Sequence, residues 1–274
     1  MSDRFTFGYR IDLERRPELR AGAVEFRDRV DGKYVIPAEI DPRPWHRIEN
    51  QGPIGSCQGH ALSSVCEFAY HLATGEVIQF SPLFSYYATQ QLDGLLGRDV
   101  GSTISGGMQC AKQFGACPLD VMPYPQPVRY TGVIPETAFT AAEPFRIRSH
   151  SVCRNYEDVF SFLSSGQGGV EIGISWGAAM TPNGEGVIES FRPVGGGHAV
   201  CFLGYSARED AHGRKYLWLA NSWSADWGDR GWAEVAPQAV EQMSRHPHTV
   251  MIGLSDLSTP KPRKVDWTRD SVFA

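Results

Sequence analysis

The stretch Gln51-Gly52-Pro53-Ile54-Gly55-Ser56-Cys57-Gln58-Gly59-His60 constrains this chain more than any other. A loop of Gly, Pro and Ser ends at a cysteine. Behind it Ala61, Leu62, Val65, Phe68, Ala69 and Leu72 recur at steps of three and four, the period of a buried helix. That spacing predicts a helix from about Ser56 to Thr74, stopped at Gly75, with Cys57 in its first turn. A thiol there meets unpaired backbone N–H groups and the positive end of the helix dipole, and both favour the thiolate. Gln51, across the Gly-Pro loop, can turn its amide back towards a developing oxyanion beside the Cys57 N–H. Free cysteines are more often inert core residues, so the rest of the chain has to decide.

The pattern changes along the chain. After the central helix, Ser81-Pro82 opens a second one; Gly94 to Gly107 reads as a loop, and Met108 to Phe114 as a short helix. Prolines punctuate Pro118 to Pro144, which suggests a crossover between lobes. Beyond it come a helix at Tyr156 to Leu163 and five β-like runs: Val170 to Trp176, Ala199 to Tyr205, Tyr216 to Ala220, Gly231 to Val235 and Thr249 to Leu254. Two of these runs carry polar groups of interest. Gly195-Gly196-Gly197-His198 puts a histidine at a strand entry with room for close backbone approach. Asn221 directly follows the apolar run YLWLA, where its amide can hold an imidazole N–H, and Trp223 can cover that bond. Nucleophile, base, orienting amide and oxyanion donor together are the parts of covalent acyl transfer. Gly173-Ile174-Ser175-Trp176-Gly177 also fits a serine nucleophile elbow, but Pro182 and the glycines after it exclude the required helix, so Ser175 reads as a strand residue.

QGPIGSC, GGGHAV and NSWSADWGDRGW, in that order, resemble the papain-like cysteine proteases, as do SPLFSYYAT and FGACPLDVMPY between them. The likeness covers roughly residues 36–257, and its prokaryotic members are the nearest in pattern. The resemblance implies an α+β, papain-like two-lobed fold: a helical left lobe over about 36–145 and an antiparallel, β-barrel-like right lobe over about 146–257, with the active site in the cleft between them. It implies a cysteine endopeptidase with Cys57 as nucleophile, His198 as base and then acid, Asn221 as its orienting partner and Gln51 in the oxyanion hole. Gly106 and Gly107 match the glycine pair whose backbone binds an extended substrate, and Trp223 would line the primed side. The chain departs from the family at Gln58, where an aromatic is usual, at Ser224, where glycine is usual, and at Ile54 and Ser105, which replace a disulfide pair. An effector or toxin-type protease with one protein target, and a non-catalytic binding module, are the alternative readings.

The chain has 274 residues with 42 % hydrophobic content, enough for two lobes sharing a cleft. A net charge of -5 without a Lys/Arg cluster argues against nucleic acid. No run of eighteen apolar residues suggests a membrane span. The charged N-terminal stretch has no apolar signal region, so synthesis in the cytoplasm is expected, with export by a non-classical or dedicated route left open. The six cysteines show no zinc spacing, and His246-Pro247-His248 has no companion ligands, so neither metal nor cofactor is expected; the partners are protein or peptide substrates. Residues 258–274 read as a tail. Residues 1–35 read as a prosegment-like N-terminal extension with a short helix near Arg20 to Arg29. Within it Phe5, Phe7, Tyr9, Ile11 and Leu13 alternate with polar residues, the form in which a strand could lie in the cleft and limit access, or equally pack as an ordinary structural strand on the back of a lobe.

Overall fold

The computed structural model describes residues 7–14, 36–177 and 180–258. The helix expected near Arg20 to Arg29 and nearly all of the C-terminal tail lie outside those residues, as does Phe5. Among the described residues four α-helices come first: α1 (Cys57–Thr74), α2 (Pro82–Asp93), α3 (Ile104–Gln113) and α4 (Glu136–Ala142). Then come β1 (Ile147–Val152), α5 (Tyr156–Ser164), β2 (Val170–Ser175), β3 (Val187–Ile188), β4 (Gly197–Glu209), β5 (Lys215–Ala220), β6 (Trp232–Val235), α6 (Pro237–Arg245) and β7 (Val250–Leu257). The strands form one seven-stranded sheet in the order β1-β7-β2-β4-β5-β6-β3. All pairs are antiparallel except β3 with β6. The fold is therefore the expected α+β arrangement, a helical half and a sheet half.

Local chemistry sets most of the element ends. α1 stops at Gly75, whose φ of 72° lets its N–H reach the His71 carbonyl at 2.7 Å. α2 starts where the Ser81 hydroxyl accepts from the Phe84 N–H at 3.0 Å, with Pro82 in the first turn. α5 is capped by Asn155, which accepts from the Asp158 N–H at 2.8 Å. α1 packs α2 on one side and β4, β2 and β7 on the other. That double cover buries most of its circumference and joins both halves in one apolar core.

The sequence reading differs from the fold at α3. The predicted loop over Gly94 to Gly107 ends early, because the helix begins at Ile104 rather than Met108. Thr103 is its cap, accepting from the Gly106 N–H at 2.9 Å. A second cap comes from far away in sequence: the Glu14 carboxylate accepts from the Ile104 N–H at 2.8 Å and the Ser105 N–H at 2.9 Å. Gly106 and Gly107 are thus buried in a helix, with their N–H groups used internally. The alternation of Phe7 to Leu13 also breaks, because Ile11–Leu13 form a single 3₁₀ turn.

Candidate active site

Cys57 is the first residue of α1 and is 0 % exposed. No side chain caps that helix end. The Ser56 hydroxyl is engaged with Tyr124 Oη at 2.7 Å, and Tyr124 in turn donates to the Gln51 carbonyl at 2.7 Å. Backbone hydrogen bonding from Ala199, Gly8 and Gln58 favours the Cys57 thiolate. The loop carrying Gln51 runs against the loop carrying Asn221. Asn50 bridges Trp223, and the Gln51 N–H bonds the Ser222 carbonyl at 2.9 Å. Gln51 is fully buried, and its amide orientation is fixed from both ends: Oε1 accepts from the Ser222 hydroxyl at 2.7 Å, and Nε2 donates to the Ile54 carbonyl at 3.2 Å.

His198 enters β4 and is also 0 % exposed. Its Nε2 lies 2.9 Å from Asn221 Oδ1, an atom that also accepts from the Ser222 N–H at 2.8 Å. An oxygen holding two donors cannot flip, so Nε2 carries the ring proton. The other ring nitrogen, Nδ1, has no hydrogen-bond partner. Trp223 stacks on the imidazole at 4.6 Å between centroids, and Trp176 stands edge-on to it at 4.8 Å. The structure thus brings Gln51, Cys57, His198, Asn221 and Trp223 into one region where β4, α1 and the two loops meet.

The Gly106–Gly107 pair does not join them, and the expectation of a substrate-binding backbone there is corrected. A Cβ on Gly107 would come within 2.1 Å of Gln58 Nε2, so this glycine makes room for a buried side chain. The extended-chain grip lies one turn earlier, at Ser102. Its N–H bonds the Gly8 carbonyl at 2.8 Å, and its carbonyl takes the Arg10 N–H at 3.0 Å. Tyr9 and Ser102 form a parallel bridge, and the Tyr9 N–H bonds the Gly197 carbonyl at 2.9 Å. Residues 7–10 therefore lie across the cleft. Phe7 stands edge-on to His198 and Trp223 at 6.0 and 6.1 Å, and Tyr9 is buried over Gly173 and Ile104.

That cover changes the electrostatics. Burial pushes the Cys57 thiol up to about 11, against the opposing pull of the three N–H groups. Burial likewise drops His198 to about 4, although its bond to Asn221 works the other way. The expected low thiol pKa at a helix start is therefore absent while the cleft is covered: desolvation outweighs the helix end. Sequence reasoning also missed Ser102, Trp176 and Glu14. Trp176 sits in the GISWG run, where attention to Ser175 hid it. Thr103, three residues before Gly106, was a readable cap signal for the start of α3.

Residues 36–251 match the profile of the papain family cysteine proteases. A search of curated proteins finds no matching sequence. Among solved structures, xylellain, a cysteine protease from Xylella fastidiosa, superposes with a TM-score of 0.66 at 20 % identity, covering 95 % of this chain and 99 % of its own. The Amb a 11 cysteine protease of ragweed pollen in its proform gives 0.63 at 18 % identity, over 88 % of this chain and 71 % of its own. Bromelain from Ananas comosus, in complex with the E64 inhibitor, gives 0.60 at 18 % identity, over 80 % of this chain and 99 % of its own.

Proposed function

This chain belongs to the papain family of cysteine proteases, and we propose that it hydrolyses peptide bonds through Cys57, His198, Asn221 and Gln51 and is held latent by residues 7–14. Cys57 Sγ attacks the scissile carbonyl carbon, and its proton passes to His198 Nδ1, the ring nitrogen left unengaged. Asn221 Oδ1 keeps Nε2–H in place and so fixes the tautomer. The oxyanion forms beside the Cys57 N–H and Gln51 Nε2, whose orientation Ser222 holds. As the C–N bond breaks, His198 returns the proton to the leaving amine, and water then releases the acyl group from sulfur. The observation that carries the reading is the 2.9 Å His198–Asn221 bond, roofed by Trp223, beside a cysteine that opens a buried helix.

Latency is supported by what lies against the sulfur. Gly8 presents an N–H there, and its carbonyl is taken by Ser102. A donor N–H is no electrophile, so the segment can occupy the cleft without being cut. The test is hydrolysis of small peptide esters by full-length protein carrying Gly8→Val, which unseats the segment. Activity should exceed wild type and vanish on adding Cys57→Ala or His198→Ala, with the fold retained by circular dichroism. Hydrolysis that survives Cys57→Ala sinks the assignment.

A further inference from the structure

Below the cleft lies a chain of buried polar side chains that the proposed chemistry leaves unused. Glu171 sits in β2, between β4 and β7, and is 0 % exposed. Its Oε1 accepts from Gln58 Nε2 at 3.0 Å. Gln58 follows the candidate nucleophile in α1, and its Oε1 accepts from the Ser102 hydroxyl at 3.0 Å. Ser102 immediately precedes the α3 cap, and its backbone N–H and carbonyl bond Gly8 and Arg10. Side chains from α1, β2 and the start of α3 are thus tied in series, and the series ends at a peptide grip. With both ends of its amide engaged, Gln58 has one orientation.

This arrangement is costly, which makes a packing role a poor account of it. Burial pushes the Glu171 carboxyl well above the ordinary carboxylate range, which favours its neutral form. Its Oε2 has no partner. An apolar side chain at this site would pack without that cost. Gly107 lacks the Cβ that would collide with Gln58 Nε2 at 2.1 Å, so α3 is shaped around the amide.

We infer that Gln58 and Glu171 are positioning residues of the cleft: Glu171 fixes Gln58, Gln58 fixes Ser102, and Ser102 then grips an extended chain, either the segment 8–10 or a peptide substrate. The substrate half rests on the peptidase reading above; the segment half does not. Glu171 acts here as a hydrogen-bond acceptor through Oε1, so glutamine, which keeps that acceptor, serves equally well.

The test uses full-length protein with Gln58→Leu, Glu171→Leu, Glu171→Gln and Ser102→Ala. Amide hydrogen exchange at Arg10 and Ser102 reads the grip directly, and exchange at Tyr9, whose N–H bonds the Gly197 carbonyl, reads the docking that the grip supports. Exchange there should speed up at least tenfold in both leucine variants and in Ser102→Ala, and stay within threefold of wild type in Glu171→Gln. The second readout, taken in the Gly8→Val background where the segment is already released, is the ratio of peptide kcat/KM to the alkylation rate of Cys57, since a small alkylating agent needs no grip. That ratio should fall about tenfold in the leucine variants, whereas general loosening of the fold moves both quantities together. Should both leucine variants fail to fold, Ser102→Ala, which removes a single hydroxyl, decides. Wild-type exchange at Arg10 in Ser102→Ala, or a Glu171→Gln variant as impaired as Glu171→Leu, overturns the inference. If no form hydrolyses any peptide, the peptidase reading fails while the exchange data still decide the grip.

Discussion

Gly8→Val is the sharpest perturbation the geometry offers. A Cβ built on Gly8 would lie 1.9 Å from the Gly55 carbonyl oxygen and 2.4 Å from its carbon. Both are backbone atoms of the loop leading into α1, so no rotamer relieves the clash. The segment must leave, and Cys57 and His198 regain water. With the thiol at about 11, thiolate is about 3 × 10⁻⁴ of the total at pH 7.5. A solvated thiol at a helix start beside an imidazole titrates near ~7.5 or below, which makes half or more of it thiolate. The gain in thiolate is therefore about 1.6 × 10³. The lower-pKa thiolate is a weaker nucleophile, and a Brønsted slope of about 0.45 over roughly 3.5 units returns a factor of about 40. Ionisation alone leaves a net acceleration of about 40-fold, and restored access adds to it.

The assay is iodoacetamide alkylation at pH 7.5, followed by mass spectrometry of the Cys57 peptide. The other five cysteines are free, buried and raised in pKa, so they remain silent while the protein is folded. Expected is at least a 40-fold faster modification of Cys57 in Gly8→Val than in wild type, with an apparent thiol pKa several units lower. A change below about fivefold, with the segment shown to be released by its susceptibility to added protease, refutes the argument that burial by residues 7–10 suppresses the thiolate.

Two further predictions follow from the same contacts. In the Gly8→Val background, Gln51→Ala should lower kcat by about 10²–10³ with little change in KM, the loss expected for one oxyanion donor; a risen KM with kcat intact would make Gln51 a binding residue. Docking should also depend on pH through His198. Its pKa is depressed to about 4 in the covered cleft, so the stability it lends to docking is present above about 6.5 and is lost as pH falls towards 4. Glu14, raised by burial, opposes this and is removed by Glu14→Gln, and Cys57→Ala removes the thiol whose ion pair with His198 would mask the titration in the undocked state. In that background, exchange at Tyr9 and Arg10, corrected for intrinsic rates, should accelerate between pH 7 and pH 5; a flat profile contradicts the linkage.

The parts of the site that can be read from sequence are those whose chemistry is local. The helix behind Cys57 announces itself by period, His198 by its glycines and Asn221 by the apolar strand before it. The aromatic at 223 and the glutamine at 51 follow because each lies within a few residues of such a landmark. What escaped is set by contacts distant in sequence. The start of α3 depends on Glu14, some ninety positions away. The burial of Glu171 depends on β2 being paired on both edges and covered by α1, so alternation in VEIGI misreports which positions are wet. Gln58 looked like a departure from the family, and its meaning appears only with Glu171 and Ser102 on either side. Ser224, another departure, stands at a φ of 64°, a conformation that glycine adopts without strain.

The covered cleft is closed in two ways by one set of contacts. Phe7, Gly8 and Tyr9 fill the space a substrate would need. By excluding water they also raise the cost of a thiolate–imidazolium pair, because each ion would face desolvation. Helix-end and N–H contacts still pull the thiol down, so on the proposed mechanism the Cys57–His198 pair is held in its neutral form. Steric access and nucleophile charge then respond to a single equilibrium, the docking of residues 7–14. A partial displacement that admits water at Phe7 is enough to begin restoring the ion pair before a whole peptide can enter. Reactivity towards small electrophiles should accordingly rise before peptidase activity as docking is weakened stepwise, first by Phe7→Ala and then by Gly8→Val.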